Sequence, residues 1–265
     1  MSTADSKVQD KGNLGDLIVH HNYSLATSWF EDRYSIWRKD DNVQGYIVKD
    51  NFAFAWGDPI VSNNDNLKDV VKEFINSIKP FTPVFCCVSQ ELESLLATDE
   101  FKYRCLTCVT EDVLNPTDVS LDAKDVQKNV RRSERAGVSV REIQGEPNED
   151  ERNAINEGVQ KWKAGRKGEQ IATASIDPFL DSTHRRFFIA KIENKIVGIL
   201  ILTLIHDHGY QIKNCTAFVD SPKGTSERLI VECIETLKNE DIHHISLGVS
   251  TSEIHPADNM LVNEV

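Results

Sequence analysis

At 265 residues the chain can bury a sizeable core and divide into two lobes of ordinary size. Its 40% hydrophobic and 27% charged residues exclude global disorder. No apolar run nears the ~20 residues that cross a bilayer, and the polar stretch Met1 to Asp16 lacks the apolar core of a signal peptide, so a cytoplasmic protein, or one peripheral to a membrane, is expected. The net charge of −12 excludes coating nucleic acid by bulk charge. A local basic site is still allowed, because Lys124 to Arg141 carries six basic residues against two acids, a local +4.

After a flexible leader over residues 1–20, Ser24 to Ile60 reads as three or four short strands, SLATSWF, YSIWRK, GYIVKD and FAFAWGDPI, with turns at Asn42 and Asp50-Asn51. Asn66 to Ile78 places Leu67, Val70, Val71, Phe74, Ile75 and Ile78 on one helical face, and Pro80 and Pro83 end it. Strands over Pro83 to Ser89 and Tyr103 to Val109 flank a short helix at Gln90 to Ala97, completing a first lobe, 21–116, of α/β order. The polar stretch Glu111 to Asp122 reads as the link.

The second lobe, 117–253, repeats that order. A basic helix over Asp122 to Ala136 stops at Gly137 and leads into the strand VSVREI. A helix at Glu149 to Ala164 and a mobile loop at Gly165 to Ser182 come next. Strands at Arg186 to Lys191, Ile196 to Ile205 and Tyr210 to Phe218 form a meander, then a helix at Thr225 to Asn239 and a strand at His243 to Val249 precede a polar tail, 254–265. The ten-residue apolar run IVGILILTLI reads as a buried strand.

Candidate chemistry is sparse. Asp58, in the Gly57-Asp58-Pro59 turn, either sets the turn or holds a polar ligand group. Arg131, Arg132 and Arg135 form either a solvated helix face or a grip for phosphates. Lys161, Lys163, Arg166 and Lys167 are a second basic group, fit for RNA or lipid phosphate. The turn Ser221-Pro222-Lys223-Gly224-Thr225-Ser226 either presents N–H groups to an anion at a helix start or is a helix capped by Thr225 or Ser226. The six cysteines, Cys86-Cys87 and Cys105-x-x-Cys108 included, read as buried structural thiols, because odd spacing on a strand sends side chains to opposite faces. His206, His208, His243, His244 and His255 lack the accompanying Cys or carboxylate spacing of a metal site, and no metal is expected.

The segment YIVKDNFAFAWGDPI, the basic segment NVRRSERAGVSV and the meander, turn and helix from Arg186 to Leu237 together resemble the phosphatidylglycerol lysyltransferase C-terminal domain family, over roughly residues 24 to 250. The resemblance implies two tandem GNAT-like lobes, mixed and mostly antiparallel sheets with flanking helices. It implies transfer of an amino acid from aminoacyl-tRNA, as co-substrate, to a lipid hydroxyl of phosphatidylglycerol or a sterol such as ergosterol, without a cofactor. Asp58 then matches the acid of the family's Gly-Asp-Pro turn, Arg131, Arg132 and Arg135 fall on its basic helix, and Lys213 lies where the family has polar catalytic-site residues.

In GNAT acyltransferases the turn at Gly224 and Thr225 holds the pyrophosphate of acyl-coenzyme A, which keeps an acyl-CoA-dependent N-acyltransferase as the alternative. A hydrolytic or non-catalytic relative of the same fold is a third reading. Family members usually continue past the strand equivalent to ISLGVS with another helix and strand. The second sheet is therefore expected to show an open edge there, covered in another way or used for a homodimer.

Overall fold

A computed structural model of the protein describes residues 13–21, 23–62, 65–106, 109–166 and 176–251. They divide into two compact units. Glu111–Gly248 forms the second, and the described residues on either side of it form the first.

In the first unit, Leu14–His21 is a helix, α1, although it falls within the stretch read as a leader. Leu14, Leu17 and Ile18 are spaced at one helical turn and are all buried, so the amphipathic period outweighs the polar composition around it. The segment SLATSWF, read as a strand, is instead a 3-10 helix, Leu25–Phe30. The Thr27 hydroxyl donates to the Ser24 carbonyl (2.8 Å), and Trp29, fully buried, donates its indole N–H to the Trp56 carbonyl (2.9 Å). These local bonds give the short apolar run an alternative to a ladder.

Strands β1 (Ser35–Lys39), β2 (Asn42–Lys49), β3 (Phe52–Trp56) and β4 (Thr82–Cys86) form a mixed sheet in the order β1-β2-β3-β4. The first two pairings are antiparallel and β3/β4 is parallel. Helix α2 (Leu67–Ser77), N-capped by the Asn66 side chain, connects β3 to β4. Its Phe74 meets Trp37, Tyr46 and Phe85 edge-on, with ring centroids 5.7, 5.6 and 6.0 Å away. Helix α3 (Gln90–Leu96) follows β4 and is N-capped by Ser89.

The second unit holds helix α4 (Lys124–Arg135), β6 (Val138–Ile143), helix α5 (Glu149–Ala164), β7 (Arg185–Ile192), β8 (Lys195–His206), β9 (Gly209–Ala217) and helix α6 (Thr225–Asn239). With β5 (Val109–Leu114) and β10 (His244–Thr251) the strands form a six-stranded sheet in the order β5-β10-β9-β8-β7-β6. The β6/β7/β8/β9 pairings are antiparallel and β9/β10 is parallel.

Both faces of this sheet are buried. Phe187, Ile189, Ile199 and Ile201 pack with Ile155 and Val159 of α5, while Phe188, Leu200 and Leu202 pack with Leu229, Cys233 and Leu237 of α6. Burial on both faces is why β8 reads as an uninterrupted apolar run.

Three further expectations are corrected. Tyr103 to Leu106 is not a strand, residues 107 and 108 lie outside the described residues, and the strand begins at Val109, in the segment read as the link. That strand, β5, flanks β10, so the expected open edge of β10 is covered from within the chain and offers no ladder to a second copy. Of Cys86, Cys87, Cys105, Cys215 and Cys233, only Cys233 is fully buried, and Cys105 lies outside any strand.

Candidate functional site

The Gly57-Asp58-Pro59 turn is fixed from several directions. Gly57 has φ +74, and its N–H donates to the Cys86 carbonyl (2.8 Å), extending the β3/β4 ladder by one bond. A Cβ at Gly57 would sit 2.4 Å from the Tyr23 hydroxyl oxygen, so only glycine fits. The Asp58 N–H donates to that same hydroxyl. Past Pro59, Ile60 exchanges both backbone bonds with Val43 (2.9 and 2.8 Å).

The Asp58 carboxylate accepts the Ser89 N–H (2.8 Å) at the start of α3. Burial holds its carboxyl above the ordinary carboxylate range, with the Ser89 bond opposing and the Glu91 charge adding to the shift. Asp58 faces an open depression of ≈ 380 Å³ whose lining includes His21, Tyr23, Asp65 and Glu91. Three carboxylates at one depression suit a cationic guest such as an ammonium group.

Helix α4 provides the opposite charge. Lys124, Lys128, Arg131 and Arg135, at i, i+4, i+7 and i+11, line one shallow depression of ≈ 480 Å³ with Asp122 and Gln127. At about 1.5 Å rise per residue they form a stripe of roughly 16 Å. All four are exposed, and among the described residues none forms an ion pair.

The other side of α4 is anchored. Val130 and Ser133 are buried, Asn129 donates to Glu227 (2.8 Å), and the helix acid Glu134 turns to Arg228 (3.6 Å). Arg132 is exposed but does not line the depression, since one residue turns it about 100° around the axis. Lys124 and Lys128, which the sequence offered only as part of the basic stretch, belong to the stripe, and the heptad-like spacing was the signal for them.

The remaining predicted residues are placed differently. Lys163 donates to the Ile176 carbonyl (2.7 Å), and Arg166 stacks on the Trp162 ring (3.8 Å to the centroid). Lys167 lies outside the described residues, as does most of the loop read as mobile. Gly224, not Thr225 or Ser226, is the N-cap of α6, with φ +98 and no side-chain cap bond. A Cβ there would lie 2.1 Å from the Asn129 carbonyl oxygen, so this glycine lets α6 start against the backbone of α4. Thr225 is buried and its hydroxyl donates to the Pro222 carbonyl (2.7 Å). Lys213 is half-buried on β9 at a bulge, where Ile201 faces Asn214 and Leu202 faces Ile212, leaving Lys213 as the extra residue.

Two mixed sheets with flanking helices make this a two-unit α/β protein. The chain belongs to the family described as phosphatidylglycerol lysyltransferase, C-terminal, whose model matches residues 17–255, as the sequence resemblance implied. No curated protein sequence matches it.

Among solved structures it is similar to L-PGS from Bacillus licheniformis, at 16% identity over 90% of this chain and 74% of that one, with a TM-score of 0.75. It is similar to the C-terminal domain (DUF2156) of a protein assigned as a lysylphosphatidylglycerol synthetase from Agrobacterium fabrum, at 15% identity over 90% and 77%, TM-score 0.71. A conserved protein of unknown function from Bacteroides thetaiotaomicron shares 14% identity over 92% and 89%, TM-score 0.65. At these identities the shared property is the fold. Among the described residues no helix is long and apolar enough to cross a membrane.

Proposed function

We propose that the protein transfers an aminoacyl group from aminoacyl-tRNA to a lipid hydroxyl, phosphatidylglycerol or a sterol, in peripheral contact with a membrane. The observation that carries this reading is the bare stripe Lys124, Lys128, Arg131 and Arg135 on a chain of net charge −12. Four unpaired cations in line are matched to successive phosphates of a polyanion, and such contacts release counterions on binding.

Asp58 supplies the second contact. Its carboxylate, fixed by the Ser89 N–H, takes the α-ammonium of the donor amino acid. The ester linking that amino acid to the terminal ribose is already activated, so positioning and charge stabilisation suffice. The acceptor oxygen attacks the ester carbonyl and forms the new C–O bond. The bond to the ribose oxygen breaks, and the proton lost by the acceptor hydroxyl ends on the ribose.

The acyl-coenzyme A reading is less favoured, because the Gly224 turn is closed over by the Asn129 carbonyl and Thr225 is spent on Pro222. A total-lipid profile of cells with and without the gene tests the proposal. An aminoacylated lipid that disappears with the gene is expected, and unchanged lipids with a changed acyl-amine would favour the coenzyme A reading.

A further inference from the structure

Helix α1 is docked on the Asp58 turn. Leu14, Leu17 and Ile18 are buried, and the Arg38 guanidinium donates to the Asn13 side chain at the helix start (2.9 Å). Past the helix end the Tyr23 N–H donates to the Ile18 carbonyl (3.2 Å), and the Tyr23 hydroxyl accepts the Asp58 N–H. These bonds carry the last α1 residue, His21, to the wall of the ≈ 380 Å³ depression that Asp58 faces. His21 is half-buried there, and its ring meets that of the exposed His20 edge-on, with centroids 4.8 Å apart.

The depression limits which group can move the proton of the attacking hydroxyl. A donor whose α-ammonium rests on Asp58 has its ester carbonyl carbon only about 2.5 Å from that nitrogen. The bond-making centre therefore falls inside the same depression, and the donor's own amine, held charged, cannot act as the base. Of the lining carboxylates, Asp58 is occupied by the ammonium and the Ser89 N–H, and Asp65 accepts the Asn42 amide (2.7 Å). Glu91 is exposed, and an exposed carboxylate is a weak base beside an imidazole near neutral pH. A neutral imidazole carries one ring N–H and leaves its other nitrogen as an acceptor.

Resting on the transfer reading above, we infer that His21 is the general base of the reaction. It takes the proton of the attacking hydroxyl as that oxygen forms its bond to the ester carbonyl. The imidazolium returns the proton to the ribose oxygen as the old C–O bond breaks, so no further acid or base is consumed. The titratable groups facing His21 are His20 on its own helix, Asp41 in the β1/β2 turn, and Asp58, Asp65 and Glu91 at the depression. Burial first, and then the His20 charge, hold the His21 imidazole below its ordinary pKa, against the opposing pull of Asp41. His21 is thus neutral, and able to accept a proton, at physiological pH.

The test incubates the purified chain with labelled aminoacyl-tRNA and vesicles of phosphatidylglycerol or ergosterol from about pH 5 to 9, reading both the ester lost from the tRNA and the label gained by lipid. The wild-type rate is expected to fall in acid, below about pH 6.5. His21→Ala should slow ester loss about 10²- to 10⁴-fold at an unchanged melting temperature, with partial recovery in free imidazole. His20→Gln removes a like charge and should move the acid fall to higher pH, whereas Asp41→Asn removes an opposite charge and should move it lower. Both should keep the wild-type plateau. Neither residue is among the groups that shift Asp58, so the paired movement reports His21.

A His21→Ala variant as fast as the wild type, or an acid fall unmoved by both His20→Gln and Asp41→Asn, overturns the inference. Where His21→Ala fails to fold, the two shifts decide. Lipid labelling that survives His21→Ala sinks the base alone. Ester loss that depends on His21 while lipid stays unlabelled sinks the lipid-transfer reading alone, because water then takes the place of the hydroxyl. No ester loss with the wild type sinks both.

Discussion

The Asp58 turn and the α4 stripe present opposite charges by opposite means. Asp58 is half-buried, its backbone N–H and its carboxylate both hydrogen-bonded, and its neighbours leave room for glycine alone at position 57. The stripe is exposed and unpaired, and its long side chains are fixed only at their root in the helix. A preorganised group acts by geometry and resists salt, whereas a row of solvated cations acts through counterion release and is weakened by salt. Substitutions in the two regions should therefore fail in different ways.

The largest effect is expected at Asp58. Asp58→Ala should lower transfer about 10²- to 10³-fold, the loss typical of removing one preorganised electrostatic contact. The loss should be the same at low and high salt. Asp58→Asn should lose activity equally without losing stability, because its carboxamide oxygen can still accept the Ser89 N–H and the burial cost of a charge is gone. A melting curve beside an activity assay checks both.

Gly57→Ala comes next. Its Cβ must displace the Tyr23 hydroxyl from a backbone with φ +74, a strain of roughly 1–3 kcal/mol. Thermal denaturation should show this as a lowered midpoint, and an unchanged midpoint would mean that the turn is looser than its bonds imply.

At the stripe, Arg131→Ala with Arg135→Ala should weaken tRNA binding and flatten its dependence on log salt by about 0.7–0.9 per cation removed. Arg132→Ala should leave that slope unchanged, because Arg132 lies off the stripe. Equal slopes for Arg132→Ala and Arg131→Ala would break the distinction between the two faces of α4.

The smallest effect is in pH. Asp58 binds its proton more tightly in the folded state, so its share of stability falls as pH rises from the unfolded carboxylate value through its raised folded value. The stability advantage of Asp58→Asn over the wild type should therefore be near zero in acid and grow as pH rises through that window. Binding of an ammonium ligand should rise over the same window, as Asp58 ionises.

Much of the second unit was legible in the sequence. The helix read at Thr225 to Asn239 matches α6, and the helix read at Glu149 to Ala164 matches α5, whose Asn148 and Glu151 form a capping box. The meander was readable because burial on both faces leaves long apolar strands.

The first unit was harder. SLATSWF and the stretch before Val109 are short apolar runs in which period alone does not separate strand from helix or coil. The α1 period was hidden by polar neighbours, and β5 carries Glu111 and Asp112 on a sheet edge, where no apolar face is needed. At the site, Asp58 and the arginines could be singled out from the sequence, but the selection of Arg131 and Arg135 over Arg132 needs the helix face.

The central claim is tested most directly by incubating the purified chain with aminoacyl-tRNA carrying labelled amino acids and vesicles containing phosphatidylglycerol or ergosterol, then counting label in the organic extract. The account predicts label in lipid, abolished when the tRNA is digested with ribonuclease beforehand. Lipid left unlabelled by intact aminoacyl-tRNA, or labelling that survives ribonuclease, would contradict it.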